Sequence, residues 1–209
     1  MKVKSDFRDT RFANLIVGLK SNRFDLVSAG MYVTPERAQQ IEFLPYMTGG
    51  VSILVTKGNP WQPAAPEDLC EKRVSSILGS AWIPKLHALS QSYCAVKGLK
   101  PIEVLEFPTS SEAAQAVLSG AAHAQMEDSA VSAGELKKIG DRLQLSSKGL
   151  IYPVVVGYGI RKGNLELKNA LVTALEALKK DGRYAALLRQ YNVQEPTPTQ
   201  IAVALGEKN

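Results

Sequence analysis

Arg37 is the residue with the clearest capacity for ligand chemistry, and it follows Thr34 in the run Thr-Pro-Glu-Arg. Thr34 is typical of a helix N-cap and Pro35 of a first helical residue, so Arg37 is predicted in the first helical turn. A helix N-terminus favours an anion, and a guanidinium adds a bidentate fork. The segment therefore predicts a carboxylate or phosphate site. The alternative is an ordinary surface arginine that is solvated or paired with Glu42.

The elements that position Arg37 are predicted from hydrophobic periodicity and turn residues. A short helix is expected over residues 12–19, a buried strand over 24–29 and the Arg37 helix up to about 40. Residues 43–46 are expected to turn the chain. Further strands are predicted over 51–55, 73–78, 102–107, 122–126 and 150–160. One further helix is predicted from the turn at 79–82 to Gly98, and others over 109–120, 130–139, 165–180 and 184–191.

Strands that alternate with helices favour a mainly parallel α/β architecture. Such folds bind ligands at the carboxyl ends of strands, where loops meet helix N-termini. Candidate positions of this kind are 30–37, 79–82 and Asp128. Their agreement predicts a binding site but does not identify the ligand.

The composition excludes several functional classes. The 209 residues are 45% hydrophobic and 22% charged, as in an ordinary globular protein. The net charge of +5 is scattered, and no nucleic-acid-binding motif is found, so no nucleic acid partner is expected. No apolar stretch is long enough to span a bilayer. Residues 1–9 lack an apolar signal-peptide core, so the chain as given is expected to carry no export signal.

The cysteines and histidines give no indication of a metal site. Cys70 and Cys94 are expected to be free buried thiols, although a disulfide in an oxidising compartment is the alternative. His87 and His123 have no partner at metal-ligand spacing. We therefore predict neither a metal nor another cofactor.

Short motifs recur in a characteristic order between about residues 12 and 193. They include Phe24-Asp25-Leu26-Val27, Ala29-Gly30-Met31, Thr34-Pro35-Glu36-Arg37, Phe43-Leu44-Pro45-Tyr46, Gly79-Ser80, Asp128-Ser129, Gly159-Ile160-Arg161-Lys162-Gly163 and Lys180-Asp181-Gly182. This set resembles the periplasmic solute-binding proteins of bacterial ABC transporters, in particular the polar amino-acid type (family 3). No single motif is decisive, but the ordered set is specific.

The resemblance implies an α/β, two-lobed periplasmic binding protein-like fold (type II), with mainly parallel sheets flanked by helices. One lobe would comprise residues 1–50 plus 157–209 and the other 51–156, with ligand between them and hinge closure around it. The implied function is an extracytoplasmic component that binds an amino acid or related zwitterion and delivers it to the permease. The protein would be periplasmic and monomeric.

The resemblance also implies roles for individual residues. Arg37 would bind the ligand α-carboxylate, Asp128 would accept from the α-ammonium, and backbone groups would assist at Gly30, Tyr32, Gly79, Ser80 and Ala81. The alternative for Asp128 is a helix N-cap, and for Ser80 and Ala81 it is a plain strand-to-helix turn.

The sequence departs from the family pattern in three places. The family begins with a strand and a helix that this chain lacks, so the first lobe is expected to be incomplete, less stable and weak in binding, unless another chain covers the gap. Tyr32 replaces the usual Ser or Thr, and with Trp82 as an opposite wall it suits an opine, ectoine or a betaine by cation–π contact. The alternative is that Tyr32 packs inside its lobe. Glu71 replaces a turn glycine.

Two other functions share this fold. A dehydratase acting on prephenate or arogenate needs a carboxylic acid with a raised pKa, and Glu127 is the nearest candidate. In an extended strand, however, Glu127 points opposite to Asp128, so we predict that the protein is not an enzyme. A sensory ligand-binding domain would need an attached transmembrane or DNA-binding segment.

Overall fold

The computed structural model describes residues 3–191 and 193–207 and divides the chain into two compact units. Unit 1 consists of Met1–Gly49 with Val154–Asn209, and unit 2 of Gly50–Pro153. The predictions for the two ends of the chain are only partly covered, because residues 1, 2, 208 and 209 lie outside the described residues. Whether the units act as the two ligand-binding lobes stays a prediction.

Unit 1 begins with the helix and strand that lead to the Arg37 segment. Helix α1, Leu15–Lys20, buries Leu15 and Leu19 as its periodicity predicts. Strand β1 is limited to Leu26–Val27 and pairs antiparallel with β7, Ile151–Ile160. The predicted strand over 24–29 is therefore shortened to its centre. Helix α2 follows over Pro35–Ala38.

The C-terminal part of unit 1 is helical. Helices α6, Leu165–Lys180, and α7, Arg183–Gln190, follow one another, and α8, Pro198–Leu205, forms in a tail to which no element was assigned from sequence. Thr197 starts α8 with a capping box that includes Gln200. Helix α6 has the predicted span, and the leucines that share one of its faces are only half-buried, namely Leu167, Leu171, Leu175 and Leu178.

Strand β2, Glu42–Thr56, is much longer than the predicted strand over 51–55. The predicted turn at residues 43–46 was wrong, because these residues form the first part of β2. Phe43 is buried in the unit 1 core, and the Tyr46 ring stacks on Tyr158 with centroids 4.4 Å apart. These long-range contacts hold the chain extended through Pro45.

Unit 2 contains a mixed sheet rather than a mainly parallel one. Strands β3, Arg73–Ile77, and β4, Glu103–Phe107, are parallel, and β5, Ala124–Asp128, runs parallel to β3. Strand β2 pairs antiparallel with β5 and with β6, Leu143–Leu145, which the sequence did not predict. Pairings among the described strands therefore correct the expectation of a mainly parallel sheet.

Helices of unit 2 follow the parallel strands. Helix α3, Ile83–Leu89, continues into a π-helical segment, Ser90–Cys94. Helix α4, Ser110–Leu118, falls within the predicted helix over 109–120 and begins where the Thr109 side chain accepts from the Glu112 N–H at 3.2 Å. Helix α5, Ser129–Ile139, starts directly after β5. The functional candidates of unit 2 thus lie where strands pass into helices.

Cys70 and Cys94 form a disulfide, so the prediction of free thiols was wrong. Their Cα atoms lie 5.7 Å apart, within the range that a disulfide spans. The sequence could not supply this geometry, because it depends on how the π-helical segment packs beside Cys70, which follows the short 3-10 helix Pro66–Leu69.

We expect removal of the disulfide to destabilise the protein by about 3 kcal/mol, since the bond closes a loop with a sequence separation of 24 residues. Urea unfolding of the wild type with and without reductant measures the effect. The Cys70→Ser/Cys94→Ser variant is the control and should match the reduced wild type. An unfolding midpoint that does not respond to reductant would contradict a stabilising role.

Candidate functional site

The Arg37 side chain is fixed by neighbours in unit 1. The Thr34 hydroxyl accepts from the Arg37 backbone N–H at 3.3 Å, which confirms Thr34 as the N-cap of α2. The guanidinium Nη1 donates to the Tyr32 carbonyl at 3.0 Å and lies over the Phe12 ring, 5.5 Å from its centroid. Burial lowers the pKa of the guanidinium below its ordinary value, while Glu36 acts in the opposite direction. Arg37 is thus a half-buried, oriented cation.

The segment before Arg37 is held against β7 by backbone hydrogen bonds. The Val33 N–H donates to Val155 at 2.8 Å, and the Gly157 N–H donates to Met31 at 3.0 Å. Gly30 has a φ of +61°, which favours glycine where the chain turns into this segment. Tyr32 is 3% exposed, as expected if its side chain packs inside the protein, which was the alternative to a ligand contact. Its role as an aromatic ligand contact stays a prediction.

The turn of residues 79–82 connects β3 to α3 in unit 2. Gly79 has a φ of +83°, which explains the glycine. The Ser80 N–H donates to the Ile77 carbonyl at 3.3 Å, and its hydroxyl donates to the same carbonyl at 2.6 Å. For Ser80 the geometry therefore favours the plain strand-to-helix turn over donation to a carboxylate. Ala81 is half-buried beside it.

Trp82 is positioned by a residue that the sequence reasoning missed. Its indole Nε1 donates to the Ser76 hydroxyl at 2.8 Å, and its side chain is only 5% exposed. Ser75 and Ser76 are both fully buried in β3. The two adjacent serines in a predicted buried strand could have indicated such a contact, because a buried hydroxyl group needs a hydrogen-bond partner.

Asp128 ends β5 and caps α5. Its Oδ1 accepts from the N–H groups of Ala130 at 2.9 Å and Val131 at 3.1 Å. The N-cap alternative is therefore present in the structure, and it engages a single carboxylate oxygen. Because β3 and β5 are parallel neighbours, Asp128 and the turn after Ile77 leave the same edge of the unit 2 sheet.

Glu127, the acid of the enzyme alternative, is enclosed by the protein. Its side chain is 1% exposed, and its Oε1 and Oε2 accept from the Asp128 N–H at 2.8 Å and the Gln125 Nε2 at 3.2 Å. Burial raises the pKa of Glu127 to about 7. The pKa is the one an acid catalyst needs, but the carboxyl group is removed from solvent.

The structure thus forms two separate sets of candidate residues. Unit 1 brings together Gly30, Tyr32 and Arg37, and unit 2 brings Gly79, Ser80, Ala81 and Trp82 to the sheet edge that carries Asp128. Among residues 3–191 and 193–207, no group of three or more His, Cys, Asp or Glu side chains is arranged to hold a metal. Every helix in these same ranges is too short or too polar to cross a membrane.

Comparison with known families identifies the chain. A model of the bacterial extracellular solute-binding proteins, family 3, matches residues 1–194. The chain belongs to this family. The match includes the first residues of the chain, which the motifs did not cover. The absence of the family's first strand and helix stays a prediction.

Relatives carry amino-acid-binding names. The probable amino-acid ABC transporter periplasmic-binding protein y4tE of Sinorhizobium fredii is 28% identical over 87% of this chain. The L-cystine-binding protein TcyJ of Escherichia coli is 25% identical over 90% of it. The chain spans 61% of the length of y4tE and 68% of that of TcyJ.

Solved structures support the same fold. An ancestral arginine-binding protein bound to glutamine is 32% identical, with a TM-score of 0.78 over 90% of this chain and 80% of that protein. The ancestral amino acid-binding protein AncCDT-1, described as a precursor of cyclohexadienyl dehydratase, is 33% identical with a TM-score of 0.72. This match covers 90% of the present chain and 78% of AncCDT-1.

The capping role of Asp128 gives a direct prediction for stability. Asp128→Ala should lower the free energy of unfolding by about 1 kcal/mol, because two N–H groups at the start of α5 lose their acceptor. Asp128→Asn should retain most of the stability, since an amide oxygen also caps. Chemical denaturation of the three proteins measures this, and equal stability of Asp128→Ala and wild type would contradict the cap.

Proposed function

We propose that this chain binds an amino acid or a closely related zwitterion and serves as the extracytoplasmic binding component of an ABC transporter. The proposed partners are the small-molecule ligand and the transporter permease, and the proposed location is the periplasm. Membership of family 3 and the amino-acid-binding names of its relatives support this function. We also propose that the protein acts as a monomer.

The observation that carries the proposal is the held guanidinium of Arg37. Its contacts with the Tyr32 carbonyl and the Phe12 ring fix the direction of the planar fork. A half-buried cation gains from an anionic partner because the surrounding protein screens charge less than water does. We assign the α-carboxylate of the ligand to Arg37, assisted by backbone groups of Gly30 and Tyr32.

The α-ammonium is assigned to Asp128 of unit 2. The cap engages Oδ1 of its carboxylate, and a carboxylate has acceptor capacity at both oxygens. The turn of Gly79 and Ala81 adds backbone donors for the carboxylate, while Ser80 supports the turn itself. The two assigned ionic groups of the ligand thus receive partners of opposite charge.

An α-amino acid fits these assignments best because it carries one carboxylate and one ammonium on the same carbon. Opines, ectoine and betaines would exploit Tyr32 and Trp82 by cation–π contact. Both aromatic side chains are at most 5% exposed. We therefore rank amino acids first and keep the other zwitterions as comparison ligands.

Binding is favoured over catalysis by the state of Glu127. An acid catalyst must reach the substrate, but both Glu127 oxygens accept from groups within unit 2 and the side chain is 1% exposed. Solvent and substrate would have to displace these bonds. We accordingly propose no dehydratase activity.

A thermal-shift screen with amino acids, opines, ectoine and betaines tests the proposal. A ligand at a hundred times its dissociation constant should add about 2.7 kcal/mol to the free energy of unfolding. Arg37→Lys and Asp128→Asn should each weaken binding at least about tenfold, because each loses a charge-assisted hydrogen bond of about 1.5–3 kcal/mol. Because Asp128→Asn retains the cap, weaker ligand binding by this variant would report the loss of charge and not a folding defect.

Arg189→Ala is the matched control, because Arg189 is an exposed arginine of unit 1 outside the assigned site. It should bind as the wild type does. A cooperative melt with no shift from any zwitterion would contradict the proposed function. A shift that survives in both site variants would support binding but contradict the assigned residues.

A further inference from the structure

Lys85 is a cation of unit 2 whose charged end is oriented by an aromatic ring. It lies in the first turn of α3. Its Nζ stands over the Tyr152 ring, 4.8 Å from the ring centroid, which is within the range of a cation–π contact. The salt bridges formed within residues 3–191 and 193–207 do not include Lys85. The ring thus orients the ammonium group but does not neutralise its charge.

The backbone of Tyr152 is unusual for a residue with a large side chain. Its φ is +48°, in the left-handed region that aromatic residues rarely adopt. Residues held in such strained conformations persist where the surrounding structure fixes them, and they cluster at ligand-binding and active sites. The strain is therefore an indication, independent of the cation–π contact, that the position of this ring serves a function.

Backbone contacts place Tyr152 near the sheet edge that carries Asp128. The preceding residue is Ile151, whose carbonyl oxygen lies only 3.1 Å from where a Cβ of residue 50 would stand, so Ile151 and Gly50 are in close contact. Gly50 is followed by Val51, which pairs directly with Asp128 in the register of β2 and β5. The ring that orients Lys85 is thus connected to the candidate site through adjacent strands of unit 2.

Lys85 reaches the same edge along a different element. Strand β3 is a parallel neighbour of β5, so the turn of residues 79–82 leaves the sheet at the edge that carries Asp128. Helix α3 begins directly after this turn, with Lys85 in its first turn. Unit 2 therefore carries two charged groups of opposite sign at one edge of its sheet, the carboxylate of Asp128 and the ammonium group of Lys85.

We propose that Lys85 is a specificity-determining residue that binds a carboxylate on the ligand side chain, so that the site prefers acidic amino acids. The inference rests on the proposed function, in which Asp128 binds the α-ammonium and Arg37 the α-carboxylate. Those two assignments give the ligand side chain no charged partner, and Lys85 supplies one at the same sheet edge. Tyr152 is a positioning residue, because it acts through Lys85.

The chemistry of the pair suits the capture of an anion. Lys85 is exposed, so a carboxylate can reach its Nζ without displacing a protein carboxylate. The Tyr152 ring restricts the flexible lysine side chain in advance, which reduces the entropy lost when an anion binds. The alternative is that Lys85 only stabilises unit 2 by its contact with the ring. In that case a neutral side chain would bind as well as an acidic one.

Calorimetric titration with L-glutamate against L-glutamine, and with L-aspartate against L-asparagine, tests the inference. The members of each pair differ only in a side-chain carboxylate against an amide. In at least one pair, the wild type should bind the acid at least about tenfold more tightly, which is the effect of one charge-assisted hydrogen bond. Lys85→Met should bind acid and amide equally, because it keeps the unbranched stem and loses the charge. Lys85→Arg should retain a preference for the acid.

Two substitutions of Tyr152 test its positioning role. Tyr152→Phe keeps the aromatic face and should keep the acid preference, whereas Tyr152→Leu should reduce it severalfold, because the lysine is no longer oriented. Thermal denaturation of both variants checks that they fold. Lys97→Gln is the matched control, since Lys97 is an exposed lysine of unit 2 beyond the π-helical segment. It should show the wild-type preference.

The possible results separate this inference from the proposed function. A wild type that binds each amide as tightly as its acid would overturn the inference and leave the proposed function standing. A preference for the acid that persists in Lys85→Met would overturn it as well. Equal losses for acid and amide in Lys85→Met would also do so, because Lys85 would then act on a group that both ligands share. No binding of any amino acid would contradict the proposed function and the inference together.

Discussion

The proposed site depends on the cost of withdrawing a guanidinium from water. Arg37 is half-buried, and burial lowers its pKa, so acceptors stabilise its charge and the carboxylate proposed as its ligand would stabilise it further. The Tyr32 carbonyl supplies one acceptor, and the Phe12 ring covers one face. Backbone pairing of residues 31–33 with β7 fixes that carbonyl in turn. The cap, the short helix and the strand pairing of unit 1 therefore all serve to orient one cation.

Unit 2 orients an anion, the carboxylate of Asp128. Asp128 stands at the end of β5, and α5 begins immediately afterwards, so a single carboxylate both caps a helix and presents negative charge. The parallel pairing of β3 with β5 brings the 79–82 turn to the same sheet edge. Behind Asp128, the buried Glu127 carboxylate accepts from the Asp128 N–H and from the Gln125 Nε2.

Local features were predictable from the sequence, and features made by distant contacts were not. The N-cap at Thr34 and the helices α4 and α6 were predicted, because their signals lie close together in the sequence. The length of β2 was missed, since the packing of Phe43 and the Tyr46–Tyr158 stack overrode the turn signal at Pro45. The disulfide depends on packing across 24 residues. Of the candidate site, the cap at Asp128 was predicted as an alternative, but the contacts of Ser76 and Gln125 were not, because their partners lie on other elements or further along the same strand.

The central claim is that Arg37 binds the α-carboxylate of an amino acid. Calorimetric titration with L-arginine, L-glutamine and their α-amides tests it most directly, because each amide lacks only the carboxylate charge. The account predicts that the amino acids bind wild type, that each amide binds at least about tenfold more weakly, and that Arg37→Ala removes the difference between acid and amide. An amide that binds wild type as tightly as its parent amino acid would contradict the account. So would a preference for the acid that persists undiminished in Arg37→Ala.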